Sequence, residues 1–409
     1  MAPFPLPLTE ILGHWGSYIV FLVIGFSFGF VLELAGFGNS RKLAAQFYFK
    51  DMTVLKVMFS SIVVAMVLIF ASTAIGLLDF NLLWVNPTYL WPGIVGGLIM
   101  GAGFIVGGFC PGTSLVGAAT LKLDAIAFVL GVGFGIFLFG ETVSNFNVFW
   151  NSSYMGRFTI PMWLGLPAGV VVLLLVLMAL FMFWAAERLE RIFGDDDVVK
   201  APKWRYAAAA SLAFGAIGII LIGQPTTEDR WNKLAEEKQV LLDERLVQIH
   251  PGELLALIHD NEIKVNMLDV RQEADFNLFH ILDAQHVPVE ELPEIISDLH
   301  FEPPNTVFVT MSNDEAGATE AWKILVAESV PNAYILEGGV NNWIAQFGED
   351  DLTKNFNAGA GDDQLCYIFD NAIGDRYAAA GPNPETHELE YTPKVKLELK
   401  RAPTSGGCG

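Results

Sequence analysis

The sequence predicts a polytopic α-helical membrane domain joined to a soluble α/β domain of mostly parallel sheet. Three observations carry that expectation. Six apolar stretches, near residues 15–35, 53–78, 91–109, 124–145, 161–184 and 204–223, each approach the ~20 residues that a helix needs to cross a bilayer core of about 30 Å. The charge is divided unequally along the 409 residues. Residues 1–223 hold 11 Lys/Arg and 11 Asp/Glu, so the whole formal charge of −21 lies on residues 224–409. From Leu246 onward, short strand-like runs alternate with amphipathic helical pieces, the pattern of an α/β layout. Only 17% of the residues are charged, against about 25% in ordinary soluble domains. That composition excludes a typical soluble enzyme, a disordered chain and a disulfide-knotted mini-protein. The absence of a basic surface excludes a nucleic-acid partner.

The opening residues MAPFPLPLTEILGHWG have neither a basic region nor an Ala-x-Ala site, so the first span is expected to stay in the mature protein. The loops then set an orientation. Arg41, Lys42, Lys50, Lys122, Arg188, Arg191, Lys200, Lys203 and Arg205 fall in one set of connections, while the opposite set carries only Arg157. Basic loops face the cytoplasm. Six spans in a cell (inner) membrane, multi-pass, therefore put both termini outside and the acidic domain on the periplasmic or extracytoplasmic side. Residues 16–78 and 93–145 both run span, Gly-Phe-rich break, short amphipathic piece, span. Internal repeats with helices broken at membrane depth point to the substrate site of a transporter; close helix packing without transport is the competing reading. The expected domains are 1–223 in the membrane, 224–245 as a polar helical linker, 246–350 as the α/β domain and 351–409 as an extension.

The sharpest local feature is Gly107-Gly108-Phe109-Cys110-Pro111-Gly112-Thr113-Ser114. Pro111 ends the preceding helix and suits the first turn of the next. Cys110 then lies at a helix N-terminus, where unpaired N–H groups favour an anion and a lowered thiol pKa. Thr113 and Ser114 are expected to add donors, so Cys110, Pro111, Gly112, Thr113 and Ser114 form the candidate substrate-binding set. A small buried hydrophobic cysteine is the plain alternative. Over roughly residues 16–145, this pattern resembles the YeeE/YedE family of membrane transporters for sulfur compounds such as thiosulfate. The resemblance implies that Cys110 passes the anion along by S–H contact, without covalent chemistry. The first repeat departs from it. Leu34-Ala35-Gly36-Phe37-Gly38-Asn39 puts Gly38 where the family often has a second cysteine, which implies a second transporter subunit or a homodimer to complete the path.

In the acidic half, Thr226 to Arg245 is polar and helix-favouring. Strands are expected at 265–270, 307–310 and 333–336, with helices near 251–259, 290–299 and 316–328. Leu268-Asp269-Val270-Arg271 with His280-Ile281 and Val287-Pro288, then Leu336-Glu337-Gly338-Gly339-Val340 with Trp343, resemble the rhodanese domain over residues 246–348. A rhodanese carries sulfane sulfur on a cysteine after a central strand, within a loop of backbone N–H groups. Here Met311-Ser312-Asn313-Asp314-Glu315-Ala316-Gly317 follows that strand, with Met311 at the cysteine position. A thioether gives no thiolate nucleophile, and no base accompanies Ser312. The expectation is a catalytically degenerate loop that binds or docks sulfur compounds, no catalytic residue, and Asp269 and Arg271 as structural. Enzyme activity is left open, with the balance against it.

Two further cysteines lie near the end. Cys366 sits in the strand-like run Gln364–Phe369, and Cys408 in Thr404-Ser405-Gly406-Gly407-Cys408-Gly409. A cysteine on a Gly-Ser arm has reach, and this tail resembles the Gly-Gly-Cys-Gly-Gly terminus of the periplasmic sulfur carrier SoxY. A swinging sulfur carrier at Cys408, a Cys366–Cys408 disulfide and an idle thiol all stay open. The seven histidines are scattered without zinc-ligand spacing, so no metal and no cofactor are expected. Glu33 and Glu141 lie in or beside apolar spans, where acids are functional by default; interface placement or pairing with Arg41 or other polar groups is the alternative. Asp195-Asp196-Asp197 reads as a loop cap. The leading expectation is transport of thiosulfate or a related small sulfur anion, with a sulfur-carrier protein as a further partner. The competing ones are a membrane-anchored sulfurtransferase using Cys408 and a membrane sulfur or redox sensor.

Overall fold

The computed structural model describes residues 3–193, 204–348, 356, 357, 359, 361–387 and 390–398. Cys408 and the Asp195-Asp196-Asp197 run lie outside the described residues. The chain divides after Gln224 into two compact units, and each is described by itself.

The first unit is helical. In order it contains α1 (Leu8–Leu34), α2 (Ser40–Ala45), α3 (Thr53–Ala74), α4 (Leu90–Gly107), α5 (Pro111–Ala119), α6 (Leu123–Thr142), α7 (Asn147–Trp150), α8 (Ile160–Leu164), α9 (Ala168–Phe193) and α10 (Trp204–Ile222). Among the described residues, six stretches are long and apolar enough to cross a membrane, built on α1, α3, α4, α6, α9 and α10. One span differs from expectation. Residues 161–184 do not form one helix: Gly165 caps α8 in the left-handed region, and a new helix starts after Pro167, running on to Phe193. The apolar run hides that break, because hydropathy does not register a backbone turn.

Two apolar clusters organise this unit. Val63 and Val67 of α3, Val172, Val176 and Ala179 of α9, and Ala216 and Ile219 of α10 close one helix triplet. Phe37, Leu43, Val54, Phe109 and Ala125 form the other, where the two broken segments meet. Polar contacts gather the repeat ends at one end of the unit. Lys56 pairs with Glu190 at 2.5 Å, Lys122 with Glu33 at 3.5 Å, and Ser40 Oγ donates to Asp124 at 2.7 Å. At the other ends of these helices, Asp79 N–H donates to Phe4 O, Gln224 Nε2 to Phe70 O and Arg157 to Phe80 O.

The second unit opens with α11 (Thr227–Asp243), started by a reciprocal cap between Thr226 and Asp229. The segment expected as a linker is not a bare stalk. Its apolar face buries Leu234 and Leu242, Trp231 meets Trp322 edge-on, and Thr227 and Arg230 both bond Glu328. A five-stranded sheet follows, in the order β1 (Gln248–Ile249), β5 (Ala333–Leu336), β4 (Thr306–Met311), β2 (Lys264–Asp269) and β3 (Gln285–His286), with every pairing parallel. The helices α12 (Pro251–Ile258), α13 (Glu273–Leu278), α14 (Leu292–Leu299), α15 (Ala316–Ala327) and α16 (Gly339–Phe347) connect and cover it, as parallel crossovers require. Two apolar clusters built on alternate strand residues fill the core. Residues 390–398 lie as an extended strap. The Glu253 carboxylate accepts the Lys394 and Val395 N–H groups, and Tyr334 and Asn332 hold the next residues. The run around Cys366, expected to be strand-like, is no strand. Among the described residues it makes a single bridge, Phe356 to Tyr367, because Asn341 takes its backbone groups, accepting from Cys366 N–H and donating to Gln364 O.

Candidate functional site

The repeated break in the first unit is visible as backbone geometry. Gly36 and Gly108 both take positive φ, at 79° and 69°, and each is followed by a phenylalanine that is fully buried, Phe37 at 0% and Phe109 at 1% exposure. Short helices start just beyond: Asn39 caps α2 and Cys110 caps α5. The two breaks touch, since a Cβ on Gly108 would lie 3.0 Å from both Cβ and carbonyl oxygen of Ser40. Gly108→Ala therefore combines a left-handed φ with a clash against backbone. We expect it to lower stability by about 1–3 kcal/mol, read as a fall in thermal midpoint of the detergent-solubilised protein.

Cys110 sits in the extended conformation before the nine-residue α5. Its Sγ accepts the Thr113 N–H at 3.4 Å, and the Cys110 N–H donates to Thr113 Oγ1 at 3.0 Å, closing a capping box with a thiol in the usual hydroxyl's place. Sγ also lies 3.3 Å from Thr113 Oγ1, either atom being able to donate, so an anion that takes the S–H competes only with this long side-chain contact. Pro111 has no N–H and Ser114 N–H bonds Cys110 O, which leaves the Gly112 N–H as the unpaired first-turn amide among the described residues. The two hydroxyls do not act as the sequence suggests. Ser114 Oγ is buried and donates to Pro111 O at 2.7 Å, and Thr113 Oγ1 is turned to Cys110 O and Sγ. Both protons serve the helix, because a serine or threonine inside a first turn finds a carbonyl three residues back.

Glu33 pairs with Lys122, not Arg41. The pair fills the space beside Gly38, where a Cβ would lie 2.5 Å from Glu33 Oε2 and 2.9 Å from Lys122 Nζ. The first repeat thus carries an ion pair where the resemblance places a thiol. Glu141 is exposed at the end of α6 and makes no ion pair among the described residues. Sequence reasoning missed Lys122, Ser40 and Asp124 as partners of this region; their only signal was being polar next to apolar spans.

In the second unit, Met311 ends β4 and is fully buried in the apolar core. The loop after it is closed on itself. Ser312 Oγ accepts the Ala318 N–H, so the serine is a structural acceptor. Glu315 is clamped by Arg245 through two bonds of 3.1 and 2.7 Å and accepts the Gly338 N–H. Gly339, at φ 61°, lies against the carbonyls of Ser312, Asn313 and Asp314 with no room for a Cβ, which explains the paired glycines of that segment. Below the loop, Arg271 and Asp269 form a buried pair, with Nε to Oδ1 at 2.8 Å and Nη2 to Oδ2 at 2.6 Å. Arg271 also donates to Phe279 O and to Asn313 Oδ1, so it ties β2 to the loop.

Asp314 is held below its ordinary value of 3.8: burial pushes it up, and the N–H groups of Ala316, Asp363 and Glu315 more than offset that. A carboxylate with a lowered folded value stabilises the fold fully above its unfolded value and loses that contribution as pH falls through the folded one. The loop is therefore expected to keep its amide protection down to about the ordinary carboxylate value and to lose it only below, as read by hydrogen exchange of residues 314–317.

Fold and site together define a multi-pass membrane protein bearing a C-terminal α/β domain with a loop-capped parallel sheet. The profile of the sulphur transport family matches residues 35–231, and that of the rhodanese-like domain matches residues 250–346. The chain carries a sulphur-transport domain of the YeeE/YedE type followed by a rhodanese-like domain. No curated protein matches it. Among solved structures, the crystal structure of the BH2092 protein from Bacillus halodurans is similar over 28% of this chain and 83% of its own, at 20% identity and a TM-score of 0.23.

Proposed function

We propose that the membrane unit conducts thiosulfate or a closely related small sulfur anion past Cys110. The observation that carries this reading is the Cys110 cap itself. A thiol whose S–H has only the long contact to Thr113 Oγ1 to exchange sits beside the Gly112 N–H at the start of α5, in a chain that carries a sulphur-transport domain. A helix N-terminus favours an anion, and a soft, polarisable S–H suits a sulfur-bearing one. Lys42, whose Nζ donates to Ala35 O at 2.8 Å, lies at the same end of the unit and supplies attraction at short range, whereas the charge of Lys122 is offset by Glu33. The placement of Lys42 and Lys122 opposite Arg157 supports a cytoplasmic location for that end, and hence an extracytoplasmic rhodanese-like domain. With Gly38 in the first repeat, one thiol serves this path per chain, and a second copy in the membrane would complete it.

The rhodanese-like domain, in this reading, is no sulfurtransferase: Met311 stands in the cysteine position and is buried, and Ser312 is committed to Ala318. The domain serves binding or docking of sulfur compounds or of a sulfur carrier. Uptake of labelled thiosulfate into vesicles, with sulfate and chloride as competitors, tests the substrate class. Competition by thiosulfate-like anions but not by chloride supports the reading, and equal inhibition by chloride would replace it with an unselective anion channel.

A further inference from the structure

The break of the first repeat, at residues 36–38, is flanked by charge that the Cys110 path leaves unused. α5 ends at Ala119, and Leu121 turns left-handed at φ 59°, so the Lys122 N–H returns to Gly117 O at 3.1 Å. That turn carries the Lys122 ammonium back across the end of α5. A Cβ on Gly38 would lie 2.9 Å from Lys122 Nζ and 3.5 Å from Gly117 Cα. Two residues earlier, a Cβ on Gly36 would lie 3.1 Å from Lys42 Nζ, which is pinned to Ala35 O. Two ammonium groups thus stand beside the break, against the single carboxylate of Glu33.

The Glu33–Lys122 pair is loosely made. Its oxygen and nitrogen are 3.5 Å apart, and the side chains are 42% and 36% exposed. Glu33 Oε2 is buried with no hydrogen-bond partner among the described residues. An ammonium carries three donors, and among the described residues no hydrogen bond uses those of Lys122. A tight structural pair would spend them on the carboxylate; this one keeps them for another acceptor.

We propose that the first break holds a second anion station, in which the Lys122 ammonium takes a small oxyanion and Glu33 is the counter-ion that the anion displaces. The proposal rests on the anion-conducting reading and adds to it a site of different chemistry. At Cys110 a thiol selects by softness, whereas at Gly38 an ammonium holds by charge, so sulfate and thiosulfate suit it alike. Glu33 is exposed enough to swing aside without opening the apolar cluster around Phe37. Lys42 keeps the break attractive to anions in either state. When Glu33 returns to Lys122 it expels the anion, which meets the requirement that a site on a conduction path bind weakly enough to release.

Equilibrium binding of labelled thiosulfate and of labelled sulfate to the purified full chain in detergent tests the station. Lys122→Gln is expected to weaken both anions about tenfold, the lower end for a hydrogen bond to a charged group because the site is partly exposed. Lys122→Arg is expected to recover most of that loss. Glu33→Gln removes the competitor and is expected to tighten both anions by a similar factor, a gain that misfolding cannot produce. Cys110→Ala is expected to weaken thiosulfate and leave sulfate unchanged. Weaker thiosulfate binding in Cys110→Ala, with Lys122→Gln and Glu33→Gln both unchanged, would overturn the station and leave the Cys110 path standing. The expected changes at Lys122 and Glu33 beside an indifferent Cys110→Ala would support the station and remove Cys110. A wild type that binds neither anion would overturn the station as well.

Discussion

Replacing Cys110 by alanine is expected to cut thiosulfate uptake by one to two orders of magnitude while leaving the protein folded. The estimate follows from the contact removed: a hydrogen bond to a charged partner contributes about 1.5–3 kcal/mol, which is roughly a factor of 10 to 100. The same substitution removes the cap that accepts the Thr113 N–H, at about 1 kcal/mol of helix stability, so a small fall in thermal midpoint is expected beside the large fall in uptake. Cys110→Ser separates the two effects. Serine restores the cap with a better acceptor and keeps a donor, but it places a harder oxygen where the soft sulfur stood. It is expected to recover the thermal midpoint fully and uptake only in part. Full-rate transport by the alanine variant would remove Cys110 from the path.

The second large effect is expected at Arg271. Its guanidinium is 1% exposed against an Asp269 carboxylate at 0%, and it also holds Phe279 O and Asn313. Arg271→Ala leaves a buried carboxylate without its partner, which costs about 3–5 kcal/mol and is comparable to the whole stability of a small domain. The second unit is expected to lose its cooperative unfolding transition, followed by fluorescence of the buried Trp322 and Trp343. Replacing both partners with Met and Leu is expected to cost less than either single change, because no charge is then left buried. A loss below about 1 kcal/mol for Arg271→Ala would contradict the structural role assigned to the pair.

Much of this arrangement was legible in the sequence, for physical reasons that differ by element. The spans announce themselves because a bilayer demands a continuous apolar length, whereas the turn at Gly165-Leu166-Pro167 sits inside such a run and changes no hydropathy. The Cys110 cap was legible because Pro111 and Thr113 fix a helix start by local chemistry alone. What the hydroxyls of Thr113 and Ser114 do was not, since a donor at that spacing serves a ligand or a carbonyl equally well, and the carbonyl is nearer. The Ser40–Asp124 bond links residues 84 apart, and no local pattern encodes it. In the second unit, β2, β4 and β5 were readable from β-branched and aromatic runs. The two-residue β1 and β3 were not, because they exist only through pairing with β5 and β2. Asp363 illustrates the same limit at the loop. In sequence it is one acid among 34 in the C-terminal half, and only the fold brings it to the N–H groups of Asp314 and Gly317.

The central claim is that this chain passes a sulfur anion across the membrane by way of Cys110. Purified protein reconstituted alone into liposomes and given labelled thiosulfate tests it most directly. The account predicts saturable uptake above that of protein-free liposomes, lost in Cys110→Ala. Flux no higher than in empty liposomes, or uptake unchanged by the alanine substitution, would contradict it.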